Sequence, residues 1–419
     1  MKLVKTIFYS GISTVIRTGS NFVIGKVIAL FTGPSGLAIV GAFSNFITIV
    51  LTFANGAINI GIVKYTAEFE DDEVRLKSLF STALKISIYC SLIIGVFLLL
   101  LAKTFSKWIF TTTEYTALIK VLGITIVFYS LNSMLIAILN GKKQIRTYTI
   151  VNTIGSVIGL VLTVILSYFF RMQGALYAMV LAQSLVFLFT VLLIMKSSWF
   201  SLDFFRQSFD KTLGRKLSHY SLMAIVSALT MPISNIVLRN MIISKIDIEA
   251  AGRWQGMLRI SDGYLLIVTT SLSTYYLPKL SSIKNNIELR KEIFHGFKVI
   301  LPSVILGCIS IYSLRFFIIK VLYTSSFLAM EELFFWQLVG DFFKMAAFIL
   351  GYLMLAKAMT KTFILNEIIF SLIYVFTGFL FVDKFGSEGI TMAFALTYSL
   401  SLISMLITFR KLVFFKQLI

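Results

Sequence analysis

The chain has 419 residues, of which 58% are hydrophobic and only 14% charged, with a mean hydropathy of +0.91. A soluble core cannot hide that much apolar surface, so a soluble globular protein is excluded. The formal charge of +19 invites a nucleic-acid reading, but the basic residues gather in short loops on one side of the predicted spans, with no folded basic module to present them.

Apolar stretches of about 20 residues, each long enough as a helix to cross about 30 Å of hydrocarbon, recur between short polar breaks. They are longer and more continuously apolar than the alternating segments of about ten residues that a β-barrel would show. The first, at 6–31, carries the polar stripe Ser10, Thr14, Arg17 and Asn21, with Lys26 beyond it. No small-residue cleavage site follows, so it is expected to be a retained helix rather than a signal peptide. The second, at 38–62, reads Gly41, Asn45, Thr48, Thr52, Asn55 and Asn59 at spacings of three and four, a polar line along one helix face. Further spans are expected at 79–101, 118–140, 149–170 and 174–195. The polar segment 197–218 then interrupts, and six more follow at 219–241, 250–277, 299–319, 334–356, 361–382 and 389–409.

The eighth span is the least expected, because "AGRWQGMLRISDGYLL" from Ala251 places Arg253, Arg259 and Asp262 inside a run that otherwise reads as lipid-embedded. Each such charge at a helix centre costs about 2.5 to 3.5 kcal/mol on insertion scales. Its polar face reads Gln255, Arg259, Asp262, Thr269 and Ser273, beside Trp254. Asp262, three residues after Arg259, is placed to pair with it in part. The tenth span repeats that spacing with Asp341 and Lys344, and the eleventh adds Asn366 and Glu367. Lys85, Arg315 and Lys320 fall near span ends, where they are expected to snorkel.

Cys90 and Cys308 lie inside apolar spans and imply no disulfide framework. His219 and His295 stand alone without ligand-type spacing, so no metal site is expected.

The sequence also repeats itself. "GALYAMVLAQSL" from Gly174 falls on "GITMAFALTYSL" from Gly389, an offset of 389 − 174 = 215, and the same shift pairs Lys64 with Lys279, Glu73 with Glu288, Arg75 with Arg290, Lys142 with Lys357 and Arg146 with Lys361. The expected architecture is therefore an all-α polytopic membrane protein of about twelve transmembrane helices. They form two parallel six-helix bundles with pseudo-two-fold symmetry, 1–196 and 219–419, joined by a cytoplasmic linker at 197–218. Arg17, Arg253, Arg259, Lys344 and Lys26 would face a wet chamber suited to an anionic cargo, with guanidinium well matched to phosphate oxygens. Asn21, Asn45, Thr48, Asn55, Trp254 and Gln255 complete that candidate set. Asp262, Asp341 and Glu367 would steady the cations or take up a coupling proton or sodium ion; no cofactor is expected.

"GPSGLAIVGAF" from Gly33, "GRWQGMLRISDGYL" from Gly252, "TYYLPKLS" from Thr274 and above all "LFFWQLVGDFFKMAAFILGYLMLAKA" from Leu333 resemble the Wzx-type lipid-linked oligosaccharide flippases of Gram-negative bacteria. The resemblance runs over essentially the whole chain. It implies the fold of the multidrug/oligosaccharidyl-lipid/polysaccharide exporters, V-shaped, with two bundles around a central cationic cavity. It further implies an undecaprenyl-pyrophosphate-linked oligosaccharide as cargo, such as an O-antigen repeat unit, moved to the periplasmic leaflet of the inner membrane by alternating access. Both termini would be cytoplasmic. The partners it implies are that cargo, membrane lipids, and a polysaccharide polymerase and chain-length regulator. Three other readings compete. A cation-coupled multidrug exporter of the same superfamily would want an acid-rich cavity. A membrane polymerase would want catalytic groups in a sizeable outer loop, and the outer loops are short. A scaffold that moves nothing would have its intramembrane charges paired internally.

Overall fold

The computed structural model describes residues 3–197, 200–272, 276, 279–280, 283, 285–357 and 359–414. Ser273 of the eighth-span stripe lies outside them, as do the side chains of Ser10 and His219.

Two helices are each far longer than a bilayer is thick. At 1.5 Å per residue a helix of about 50 residues is some 75 Å long, so each must hold two spans. The helix α1 (Leu3–Ala54) breaks at Gly33, where φ is 66° and Pro34 follows. The helix α6 (Ile145–Met195) breaks at Arg171, where φ is 47°. Between them run α2 (Asn59–Glu68), α3 (Glu73–Leu100), α4 (Ala102–Phe110) and α5 (Thr116–Gly141). After a short 3-10 turn at Leu202–Phe205 come α7 (Lys211–Lys245), α8 (Ile248–Ser271), α9 (Asn286–Ser313) and α10 (Arg315–Leu322). A 3-10 segment at Ser325–Leu333 leads into α11 (Phe334–Ala356), followed by α12 (Thr360–Phe385), α13 (Glu388–Thr408) and α14 (Arg410–Phe414).

Among the described residues nine helices are long and apolar enough to span a membrane. Counting α1 and α6 twice and adding α8, whose charges remove it from the apolar set, gives twelve spans. Side chains such as Leu92, Ile93, Leu306, Leu372 and Phe376 are exposed on the outside of these helices, as lipid-facing residues must be. The ninth span departs from its expected 299–319. The helix α9 begins at Asn286, because a capped, charged amphipathic turn extends it before the apolar run, and it ends at Ser313 before a new helix starts.

The chain divides into two compact units, one comprising 1–32 and 39–232 and the other 33–38 and 233–419. In the first unit α3 packs on α5 and α5 on α6; in the second α9 packs on α11 and α11 on α13. The short segment 33–38 owes its place in the second unit to α8, where a Cβ at Gly252 would stand 1.8 Å from the Pro34 carbonyl oxygen. Only glycine allows that approach.

The repeat is visible in backbone detail. Arg171 (φ 47°) and Gly386 (φ 61°) break the helix 215 residues apart. Three residues on, a Cβ at Gly174 would meet the Leu166 carbonyl oxygen at 1.9 Å, and one at Gly389 the Phe381 carbonyl oxygen at 2.2 Å. Nearer the start of each half the register differs. The helix caps Asp72 and Asn285 lie 285 − 72 = 213 apart, as do the breaks at Leu101 and Leu314. Two residues are therefore inserted in the second half between α10 and the end of α11. The pairing of Glu73 and Arg75 with Glu288 and Arg290 is a coincidence of numbering; Glu73 matches Asn286, and Lys77 matches Arg290.

The segment after α6 is strapped to α3. Ser78, Ser81, Thr82 and Lys85 lie along one face of that helix. Ser81 Oγ donates to the Phe204 carbonyl at 3.1 Å and accepts from the Gln207 N–H at 2.9 Å, and the Asp210 N–H donates to Thr82 Oγ1 at 3.1 Å. Lys85 does not simply reach for water; its Nζ donates to the Gln207 carbonyl at 2.8 Å. Asp210 then caps α7 by accepting from Thr212 and Leu213 N–H, and the Leu213 bond leads the effects that hold its carboxyl below the usual range.

Candidate functional site: the polar face of α8

Asp247 caps α8 by accepting from the Ala250 N–H at 2.5 Å. Arg253, one turn in, is 3.8 Å from Asp247 and 3.5 Å from Glu249, so this cation is engaged at the helix start. Trp254 is buried and Gln255 half-buried.

Further along, α8 meets α11 through a polar cluster. Asp341 is fully buried and its carboxylate accepts from Ser261 Oγ at 2.6 Å, Tyr264 Oη at 2.7 Å and Gln337 Nε2 at 3.2 Å. Ser261 and Tyr264 are three apart on one helix and Gln337 and Asp341 four apart on the other, so each pair shares a face. A buried carboxyl needs such donors, and neutral ones supply them here.

The spacing of Arg259 and Asp262 suggested a pair, and the structure makes a different one. Asp262 lies 3.8 Å from Lys344 Nζ, its side chain 73% exposed against 15% for the lysine. The ammonium also sits 5.8 to 5.9 Å from the ring centroids of Phe348, Phe394 and Tyr398, within cation–π range. Asp341 and Lys344 point to different partners because three residues turn the helix to about 60° short of one full turn.

That leaves Arg259. It is half-buried at the middle of α8, and among the described residues it forms no hydrogen bond or ion pair. Its charge bears on Tyr323, whose hydroxyl donates to the Gly256 carbonyl at 3.0 Å. A guanidinium in that position has its fork free for a ligand.

The candidates of the first unit are placed as follows. Arg17 and Asn21 are exposed on α1, and Lys26 is half-buried and engaged. Asn45 is half-buried, and exposed Thr48 donates to its own helix at the Ser44 carbonyl, 3.0 Å away. Asn55 is buried and shapes the turn after α1, its Oδ1 accepting from the Ala57 N–H at 2.9 Å. In the second unit, Glu367 is half-buried on α12 and engaged. Among the described residues no group of three or more His, Cys, Asp or Glu could hold a metal.

Sequence reasoning passed over Ser261, Tyr264, Gln337 and the ring set around Lys344. Ser261, Tyr264 and Gln337 carried a helical spacing signal, but the rings come from α13 as well as α11. It also passed over Arg239, buried on α7 and donating to Asn240 Oδ1 at 2.9 Å. Arg239 stands 213 residues after Lys26, the offset that holds in the early part of each half.

Residues 27–332 match the model of a family described as polysaccharide biosynthesis protein. The chain is 31% identical over 402 residues to the lipid III flippases of Escherichia coli (strain K12) and Shigella flexneri, covering 95% of this chain and 96% of each relative. Both names fit the expectation of transport rather than catalysis. Among solved structures, an inward-facing multidrug resistance MATE family transporter of the MOP superfamily superposes with a TM-score of 0.76 at 18% identity, over 97% of both chains. A MOP superfamily transporter from Pyrococcus furiosus gives 0.69 at 16% identity, over 96% of both. These share the fold, all-α with about twelve spans. The chain is a multi-pass membrane protein, and it belongs to the polysaccharide biosynthesis protein family.

Proposed function

We propose that this chain is a flippase of the Wzx type. It carries an undecaprenyl-pyrophosphate-linked oligosaccharide, an O-antigen repeat unit or a related one, from the cytoplasmic to the periplasmic leaflet of a bacterial inner membrane. The observation that carries the reading is Arg259, a mid-membrane guanidinium with no ion pair or hydrogen bond among the described residues. In the same unit stands the Lys344 ammonium, set among three rings with the exposed Asp262 at 3.8 Å. An unpaired guanidinium at this depth suits an anionic headgroup, whose polyprenyl tail can stay in lipid throughout. The name of the lipid III flippases, at 31% identity, supports a lipid-linked cargo.

In this reading α8 presents its cations to one face of the membrane and then the other. The cargo's lost hydration is replaced by charge-assisted hydrogen bonds from Arg259 and by the polar side chains of α8. Asp341 or Glu367 would be where a proton or sodium gradient couples, and a polymerase and chain-length regulator would use the delivered unit.

Deleting the gene should leave an undecaprenyl-linked intermediate in the cytoplasmic leaflet, and its composition identifies the sugars. Complementation with Arg259→Ala should fail at unchanged protein level, while Arg259→Lys should restore part of the flux, since charge survives without the fork. If Arg259→Ala combined with Asp262→Ala recovers transport, Arg259 is a structural partner of Asp262 and the assignment falls.

A further inference from the structure

Each half contains a slot beside the start of its third helix, and the two slots are filled differently. In the first unit Leu76 and Ile138 form its wall, and Phe204 of the strap is buried with them in one cluster. Two lysines flank that ring, Lys77 at 5.5 Å and Lys142 at 5.8 Å from its centroid, and Glu73 pairs with Lys77 at 2.8 Å.

By the offsets established above, the same places in the second unit are Leu289 and Leu353 for the wall, Arg290 and Lys357 for the cations, and Asn286 for the acid. Tyr276 is buried in one cluster with Leu289 and Leu353, and Phe409 packs against it, but among the described residues no ring is flanked by Arg290 and Lys357 as Phe204 is by Lys77 and Lys142. Instead Leu289, Leu353, Phe409 and Leu412 bound a cavity of about 310 Å³, with Lys357, Lys411 and Asn286 at its polar end. Arg410 and Lys411 line a second cavity beside it. No carboxylate is among the lining residues of either. Arg290 donates Nη2 to the Val413 carbonyl at 3.1 Å, and its other terminal nitrogen, Nη1, is buried with no hydrogen-bond partner. Lys357 gives one of its three protons to the Ile283 carbonyl at 2.6 Å, leaving two.

Among the described residues the second slot has therefore kept the cations of the first without its acid or a ring between them. What fits is an anion attached to something apolar. We infer that the cavity between α9, α11 and α14 binds an anionic phospholipid, its phosphate held by Lys357 and Lys411 and its acyl chain lying against Leu353, Phe409 and Leu412. Basic pockets between membrane helices take such headgroups, each Lys or Arg adding to the attraction.

The test uses the purified full chain in detergent, titrated with dioleoyl-phosphatidylglycerol and, separately, dioleoyl-phosphatidylcholine, with bound lipid counted by native mass spectrometry. Phosphatidylglycerol should bind about 30-fold more tightly, as two lysines predict. The double substitution Lys357→Gln and Lys411→Gln should remove most of that preference. So should Asn286→Glu, which restores the acid of the first unit and serves if the double variant unfolds. Equal binding of the two lipids by the wild type would overturn the site, as would an unchanged preference in the variants. Displacement by millimolar inorganic phosphate would show a free-anion site instead. One-for-one displacement by undecaprenyl pyrophosphate would show a subsite for the carrier. A rise in phosphatidylglycerol occupancy on removing residues 415–419 would show that the tail is the occupant.

Discussion

At the scale of single residues, the second unit sorts its intramembrane charges into three kinds: tied down, half-tied and untied. Asp341 is tied, with Ser261, Tyr264 and Gln337 all donating to it. Removing it by Asp341→Ala strands those donors, and the chain should lose about 2 to 3 kcal/mol of stability in a thermal unfolding series in detergent. Asp262→Asn removes a longer, exposed pair and should cost less than about 1 kcal/mol. Equal losses would mean that the Asp262–Lys344 pair holds the helices together rather than serving the cargo. The sequence showed that charges were present but not who partners whom. Spacing along a helix lists the neighbours within one helix, whereas Asp262 found its partner, and Asp341 two of its three, on another.

Among the elements, the spans were legible because lipid demands long apolar runs, and even α8 was found despite its charges. The kinks were legible only in part. Gly33 with Pro34, and Gly386, advertise a break; Arg171 does not, since an arginine at φ 47° has no local reason to be there. Its reason is the repeat, which imposes on Arg171 the backbone that Gly386 adopts freely. Arg171→Gly should therefore stabilise the protein by about 1 kcal/mol, and Gly386→Ala should destabilise it by about 1 to 3 kcal/mol. Opposite signs in paired melting curves are the expected outcome; a loss at both sites would mean that the Arg171 side chain matters more than its backbone. The two-residue shift between the halves was hidden because caps are set by geometry, and charges aligned at 215 mimicked a match.

For the molecule as a whole, exposure alone does not say which surface meets water and which meets lipid. Thr48 and Asp262 are exposed, and so are Leu372 and Phe376. Single cysteines at the first pair should react with a charged, water-soluble thiol reagent in membrane vesicles open to both faces, and cysteines at the second pair should not. Protection of all four would leave α1 and α8 without a wet face. The duplication itself was readable from the sequence, whereas the excursion of 33–38 into the second unit was not, because it depends on the contact of Pro34 with Gly252.

That excursion also sets an order on synthesis. Leu37 meets Gly256, which leaves the ribosome 256 − 37 = 219 residues later, about 10 to 40 s at ordinary elongation rates. The first helix pair can insert early, yet the turn that joins it has to wait, without its native neighbour, until most of the seventh and eighth spans exist. Completion of the amino-terminal hairpin is thus a late event in the biogenesis of the chain, gated by the arrival of α8.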